Sequence, residues 1–318
     1  MRTVTLLSVL TLASCGPKPI DVNLVPPEQG FQFKVPAYTV DKSSETQRCY
    51  FFAVPSDVPV YVTKFEIIQN PGSHHSNVFR VKTLKNLSGA DGESVVDGEC
   101  WKSANWSDWP LVVNNQESNS GKSTVWQLPE GTAMRFEPHE LLMVQSHYVN
   151  ATTQETPKEA KVFVNFNTAE PSSTPIEVGT LFATNQSIKV CPGDSGKYFE
   201  STCRMSQSQP FTIIGANGHF HSRGTRFDIG VFDPQETAPS EPFYTSTEWA
   251  DPPMSYGLSV PVPAGGGIRY RCTYSVPGDT CGDESNACCF TFGGKVETQE
   301  HCNAFVYYYP KVNDVGCF

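Results

Sequence analysis

Several things are scarce in this chain, and each scarcity excludes something. No long apolar run is present: Leu6 to Leu12 is the core of the N-terminal stretch and is far too short to span a bilayer as a helix. No basic run occurs, and 23 Lys plus Arg stand against 33 Asp plus Glu for a formal net charge of −10. Without a basic footprint, nucleic acid is not expected as a partner. The acidity itself argues mainly for solubility. Charged residues make up only 18% of the 318 positions. No convincing amphipathic helix follows the N-terminal stretch. No Cys-x-x-Cys pair exists, which speaks against a cytosolic zinc site. Histidine is sparse too, with seven in the chain.

Glycine (24), proline (25) and aromatic residues (12%) are plentiful and favour short strands and turns over long helices. Val60 to Ile68, Leu141 to Val149, Lys161 to Phe166, Arg226 to Phe232 and Asn303 to Tyr309 read as strands. In the fourth, Phe227, Ile229 and Val231 are expected to share one face. Ala169 to Pro175 is the best linker. The fold class expected is all-β: two antiparallel, disulfide-rich β-sandwich domains at residues 31–168 and 176–318. Asn114 to Lys122 and Pro277 to Ala287 read as polar loops.

The N-terminus reads as an export signal. Arg2 supplies positive charge, an apolar core follows, and small residues precede Cys15. Leu12-Ala13-Ser14-Cys15 resembles the bacterial lipobox, so residues 1–15 are expected to be a lipoprotein signal ending at a lipidated Cys15. Residues 16–30 would then be a Pro-rich tether. The chain is expected to be exported and lipid-anchored in a bacterial cell envelope, with Gly16 compatible with the outer membrane. Ten cysteines remain, an even number that implies disulfides in an exported chain.

The histidines are grouped. His74 and His75 are adjacent after Pro71-Gly72-Ser73. His147 lies in a strand-like run. His219-Phe220-His221 would present both imidazoles from one face of a strand, where they could chelate one ion. Neighbours on a regular strand point oppositely, so His74 and His75 can share an ion only where the backbone is irregular. His139 reads as structural. Imidazole suits copper, zinc, iron and nickel alike.

In order along the chain, Pro71-Gly72-Ser73-His74-His75-Ser76, Leu142-Met143-Val144-Gln145-Ser146-His147-Tyr148, His219-Phe220-His221, Arg271-Cys272-Thr273-Tyr274, Gly293-Gly294, Glu300-His301-Cys302-Asn303 and Tyr307-Tyr308-Tyr309-Pro310 resemble the motifs of the copper type II, ascorbate-dependent monooxygenases. That family includes the peptidylglycine α-hydroxylating and dopamine β-monooxygenases. The resemblance runs from about Phe31 to the C-terminus. It implies two jelly-roll-like sandwiches, each carrying one copper, facing across a solvent-filled cleft. His74, His75 and His147 would hold the first copper; His219, His221 and His301 would hold the second. It also implies the bridges Cys49–Cys100, Cys203–Cys317 and Cys272–Cys302. Cys191, Cys281, Cys288 and Cys289 do not map onto the family and are expected to make two extra bridges around the 277–287 loop. Gln145 and Asn303 would stand beside the metals or the substrate.

Two departures matter. The family has Met where this chain has His301, and Met254 is only a weak substitute. The Arg and Tyr that grip a substrate carboxylate in the peptide-amidating members are replaced by Asn217 and Phe305, leaving no evident bidentate clamp. Arg223, Arg269 and Arg271 are other candidates. The expected function is a copper-dependent monooxygenase using O2 and an external reductant such as ascorbate on the C–H bond of a small substrate. The alternative is a non-catalytic copper-binding lipoprotein that stores or relays the metal. A blander reading is an adhesive sandwich whose histidines hold nothing.

Overall fold

A computed structural model describes residues 22–85, 87, 89–96, 100, 109–116, 123–150, 158–170, 174–236, 240–278 and 288–318. The signal stretch, Cys15, residues 16–21 of the tether and Cys281 lie outside the described residues. The described chain is all-β and contains no helix.

Its strands form five sheets. The first runs Gly30–Val40, Lys158–Thr168, Val60–Gln69, Thr132–Phe136 and Ile176–Glu177, with Thr124–Gln127 paired to Val60–Gln69. The second runs Ser94–Val96, Ser44–Ala53, Leu141–Asn150, Ser73–Arg80 and Leu111–Asn115. The third runs Ser255–Val262, Phe211–His219, Asn303–Tyr309, Gly179–Thr184 and Val315–Cys317. A fourth holds Ser195–Arg204, Gly267–Ser275, Gly224–Phe232 and Tyr244–Ser246. The small fifth holds Lys189–Val190, Phe290–Phe292 and Gln299–Glu300. Five small sheets therefore replace the simple expectation of two jelly-roll sandwiches. The third sheet is shared between two cores rather than closing one sandwich, and the small sheet is made from stubs of two or three residues.

The third sheet is buried on both faces, and this welds the two halves of the chain together. Along Asn303–Tyr309, Ala304, Val306 and Tyr308 point into the core of the second half, while Phe305 and Tyr307 point into the core of the first. Val178, Phe182 and Ile214 join them on the first-half side. Ile213 faces the second-half core and Ile214 the first, and the register shift between Ile213 and Gly215 changes the parity so that Ala216 faces the second-half core again. Each large apolar side chain buried this way contributes about 1.5–3 kcal/mol. A large apolar contact of this kind opposes hinge motion between the halves.

Three features differ from the linear reading. Val22 and Leu24, assigned to the tether, are buried against Ile68 and Phe163. Gln32 and Asn165 hold the carbonyls of Leu24 and Val25 at 2.8 and 2.7 Å, so the described end of that segment is docked. Ile176 and Glu177, assigned to the second half, pair with Thr132 and Ala133 of the first. Asn114 and Asn115, assigned to a loop, are buried at the end of Leu111–Asn115.

The bridges Cys49–Cys100, Cys203–Cys317 and Cys272–Cys302 are all present, and Cys191 pairs with Cys289. Cys288 is disulfide-bonded as well.

Candidate metal centre

Six of the seven histidines meet at one place. His74 and His75 begin the strand Ser73–Arg80, and the ladder beside them is irregular. Ser73 pairs with Tyr148 and His75 with His147, which leaves His74 as an extra residue on its side. A bulge re-aims the side chain it carries, and here the rings of His74 and His75 lie 5.0 Å apart, centroid to centroid. His147, directly across from His75, has its ring 4.8 Å from it. From the second half, His219 ends the strand Phe211–His219 and His221 follows in the turn. Phe220, between them, points the other way into the core, so the two imidazoles project together with centroids 5.3 Å apart. His301 precedes Asn303–Tyr309 and stands 4.5 Å from His221 and 5.3 Å from His219.

The two groups also touch each other. The His74 ring is 5.0 Å from His219 and 5.5 Å from His221. Nitrogens of His74, His75 and His147 lie within 4.8 Å of one another, and so do those of His74, His219 and His221. His74 therefore belongs to both sets. His301, expected in the second set, stands beside it. All six side chains are buried, none more than 6% exposed.

Hydrogen bonding sets the tautomers. The His147 Nε2 donates to the Glu45 carboxylate at 2.7 Å. The His221 Nδ1 donates to the Gln299 carbonyl at 2.9 Å. The Gln145 Oε1 already accepts from Asn77 at 2.8 Å and takes the His75 Nε2 proton at 3.2 Å. The Gln116 Oε1 accepts from His219 Nδ1 at 2.8 Å. A neutral imidazole has one N–H, so in each ring the other nitrogen carries a bare lone pair. Those nitrogens are His147 Nδ1, His221 Nε2, His75 Nδ1 and His219 Nε2. Each is buried without a hydrogen-bond partner, as is His74 Nε2. Buried polar atoms left unsatisfied are rare and costly. Four lone pairs on rings oriented from behind, together with the unpartnered His74 Nε2, converge in one enclosure and fit a bound metal cation.

The electrostatics agree. Burial, followed by the neighbouring imidazoles, pushes His74, His75, His219 and His301 well below the usual histidine range. Burial takes His221 down to about 4 against the opposing Gln299 bond. Burial alone would raise the Glu45 carboxyl, but the His147 bond and the Val296 N–H outweigh it and the net direction is down. Metal binding needs neutral imidazole, and these rings are held neutral.

Glu45 and Gln116 are absent from the linear reading, and each reaches across the halves. Glu45 also accepts from the Val296 N–H of the second half at 3.4 Å. Gln116 belongs to the first half but orients His219 of the second. Beside it, Asn114 bonds Asn217 at 3.0 Å and exchanges hydrogen bonds with the Tyr307 hydroxyl at 2.7 and 3.1 Å. Only the abrupt change from Leu111-Val112-Val113 to Asn114-Asn115-Gln116 on one strand end hints at this role.

Other candidates take different places. Met254 has its Sδ 3.7 Å from Asn114 Nδ2. Asn217 is spent on Asn114 and the carbonyls of Pro252 and Pro253, and Phe305 is core. Arg223 bonds Val296, Glu297 and Glu300 and lies over Phe290. Arg269 pairs with Glu236 and Arg271 with Asp228. Asn303 pairs with His219 in the ladder, and its Oδ1 is buried without a partner. His139 is remote from the cluster in role: its side chain is 64% exposed and 2.9 Å from Asp57. His139→Asn, which suits the left-handed backbone there, is expected to change stability by less than about 0.5 kcal/mol. Metal analysis of this variant should give the same metal content as the natural protein.

No family model matches the chain, and no curated protein matches it. Solved structures match it only at low identity and low TM-score. The VP2 subviral particle of infectious bursal disease virus is 10% identical over 91% of this chain and 74% of that one, with a TM-score of 0.24. The exported protein XepA of PBSX is 9% identical over 96% and 100%, with a TM-score of 0.24. The broad bean stain virus structure is 7% identical over 98% and 100%, with a TM-score of 0.29. Likeness at this level carries no statement about function.

Proposed function

We propose that the chain is a copper-dependent monooxygenase that hydroxylates a C–H bond of a small substrate with O2 and an external reductant such as ascorbate. The observation that carries this reading is the set of buried imidazoles, four of which (His75, His147, His219 and His221) have one N–H fixed by an acceptor and the other nitrogen bare. Among divalent first-row ions, copper binds such nitrogen sites most tightly. Bound copper would supply oxygen binding and one-electron chemistry. The protein's own part is to bind and to orient. His74, His75 and His147 form one ligand set, and His219 and His221 with His74 or His301 form the other. Glu45, Gln145, Gln116 and the Gln299 carbonyl keep the rings in one tautomer. Burial keeps His74, His75, His219, His221 and His301 neutral. The partly buried Trp249, 6.4 Å from the His74 ring, and Phe292, 5.1 Å from His301, border the cluster.

The lipobox-like stretch supports export and anchoring of the chain to an envelope membrane. A second reading, a non-catalytic copper store or relay, is favoured by the depth of burial and by His301 where the family has a thioether. Asn217, Phe305 and the engaged arginines leave no evident grip on a substrate carboxylate.

The deciding measurement is O2 uptake by the copper-loaded protein with ascorbate and candidate substrates, beside a copper-free control, His147→Ala and His301→Met. Coupled uptake is expected, and His147→Ala should lower it by about 100-fold or more, since even outer partners of metal ligands matter by about 10–100-fold. Firm copper binding without any coupled uptake would leave the storage reading standing. Uptake by His301→Met alone would make that ligand the difference between this chain and an oxygenase.

A further inference from the structure

The resemblance implies two separate metal sites facing across solvent, but the geometry points elsewhere. We infer that the six histidines build one binuclear centre, in which His74 can serve either ion and the first half completes the second ligand set through Gln116. This rests on the copper reading above and adds the relation between the two ions.

Three observations carry it. First, His74 belongs to both sets of nitrogens that lie within 4.8 Å of one another. Metal–imidazole bonds are about 2.0–2.1 Å long, so ions in the two sets are near neighbours. Second, His74 sits at the irregular point of its ladder. Its ring is nearly equidistant from His75 at 5.0 Å, His147 at 5.1 Å and His219 at 5.0 Å. Third, the second set is not self-sufficient. The N–H of His219 is held by Gln116, which is 1% exposed and comes from the other half. The third sheet packs Phe182, Phe305 and Tyr307 into the first-half core, so a cleft between the sets would require breaking an apolar interface.

The arrangement gives His74 a role that a ligand of one isolated site would not have. With both ions present, it can complete the coordination of either, and His301 stands ready beside His219 and His221 when His74 serves the first. Gln116 is a positioning residue. It touches no substrate and acts through His219 alone.

The test is electron paramagnetic resonance of the oxidised, copper-loaded protein together with a copper count. Two coppers per chain, with clearly fewer than two isolated spins and a half-field transition, are expected. Two coppers giving two full, isolated signals would overturn the inference while leaving the copper reading intact. One copper per chain would also overturn it, and no bound copper would bring down both. His74→Ala is expected to abolish the half-field signal and to disturb the spectrum of the remaining copper. Separate sites would instead lose only the first copper and leave the second spectrum unchanged. Gln116→Leu should weaken the second copper by about tenfold, and Gln116→Glu, which still accepts from His219, should restore it. Equal affinity in the Leu variant would remove Gln116 from the centre.

Discussion

Copper-free protein is expected to unfold in mild acid, at about pH 5, and copper-loaded protein at a pH about one unit lower. In the fold, His74, His75, His219 and His301 are held well below the usual range by burial, and His221 is lowered to about 4. In the unfolded chain each takes a proton below about pH 6.5. The unfolded state then binds more protons than the fold, so stability falls as pH falls. Each group removes about 1.4 kcal/mol per pH unit in that window. Five together remove about 7 kcal/mol per unit, against a total stability of roughly 5–15 kcal/mol. Glu300 works the other way: burial raises it to about 7, over the opposition of Arg223 and the His221 N–H. It gains a proton in the fold first, but it is one group against five. Bound copper would occupy the same lone pairs and add about 4 kcal/mol per site at a thousandfold excess over Kd. Fluorescence-monitored pH titrations with and without copper, with a chelator control, measure the difference. Coincident midpoints would mean that the cluster holds no metal in solution.

Much of the histidine cluster is legible along the chain, because its members lie in local patterns. Two histidines flanking Phe220 project together wherever the middle residue is core. An adjacent pair such as His74 and His75 is useful only at an irregular backbone, and Pro71-Gly72 announces one. The outer partners are not legible, since they depend on pairing between distant strands. Glu45 reaches His147 only because Ser44–Ala53 runs beside Leu141–Asn150 in one register. Gln116 reaches His219 only because the halves are packed together. The welded interface is hidden for a related reason. Ala304 to Tyr309 is apolar or aromatic at every position, so no alternation tells which face is outside. The extra residue at Ile213 to Gly215 adds a change of parity that periodicity cannot carry. The proline-rich stretch before Gly30 suggests a free tether by composition, yet Val22 and Leu24 find an apolar groove beside Ile68 and Phe163.

Gly224→Ala should disable the second ligand set without touching a ligand. The turn after the histidines closes with a hydrogen bond from the Gly224 N–H to the His221 carbonyl at 2.9 Å. It brings Gly224 against Phe220, and a Cβ there would lie 1.8 Å from Phe220 Cδ2. Phe220 cannot yield outward: its ring is fully buried and stacks on Phe227 with centroids 6.1 Å apart. The clash must therefore move the backbone between His219 and His221. Overpacking of this kind costs about 1–3 kcal/mol, and the displaced chain would carry His221 away from the Gln299 carbonyl and His219 away from Gln116. The variant is expected to melt several degrees lower and to bind the second copper at least about tenfold more weakly. Phe220→Leu in the same chain frees room and should recover part of both losses, even though Phe220→Leu alone is itself destabilising. Neighbouring substitutions couple in this way when they share one space. Thermal melts and copper titrations of the two single variants and the double variant complete the cycle. Simple additivity, with full copper affinity in Gly224→Ala, would show that the turn does not aim the two ligands.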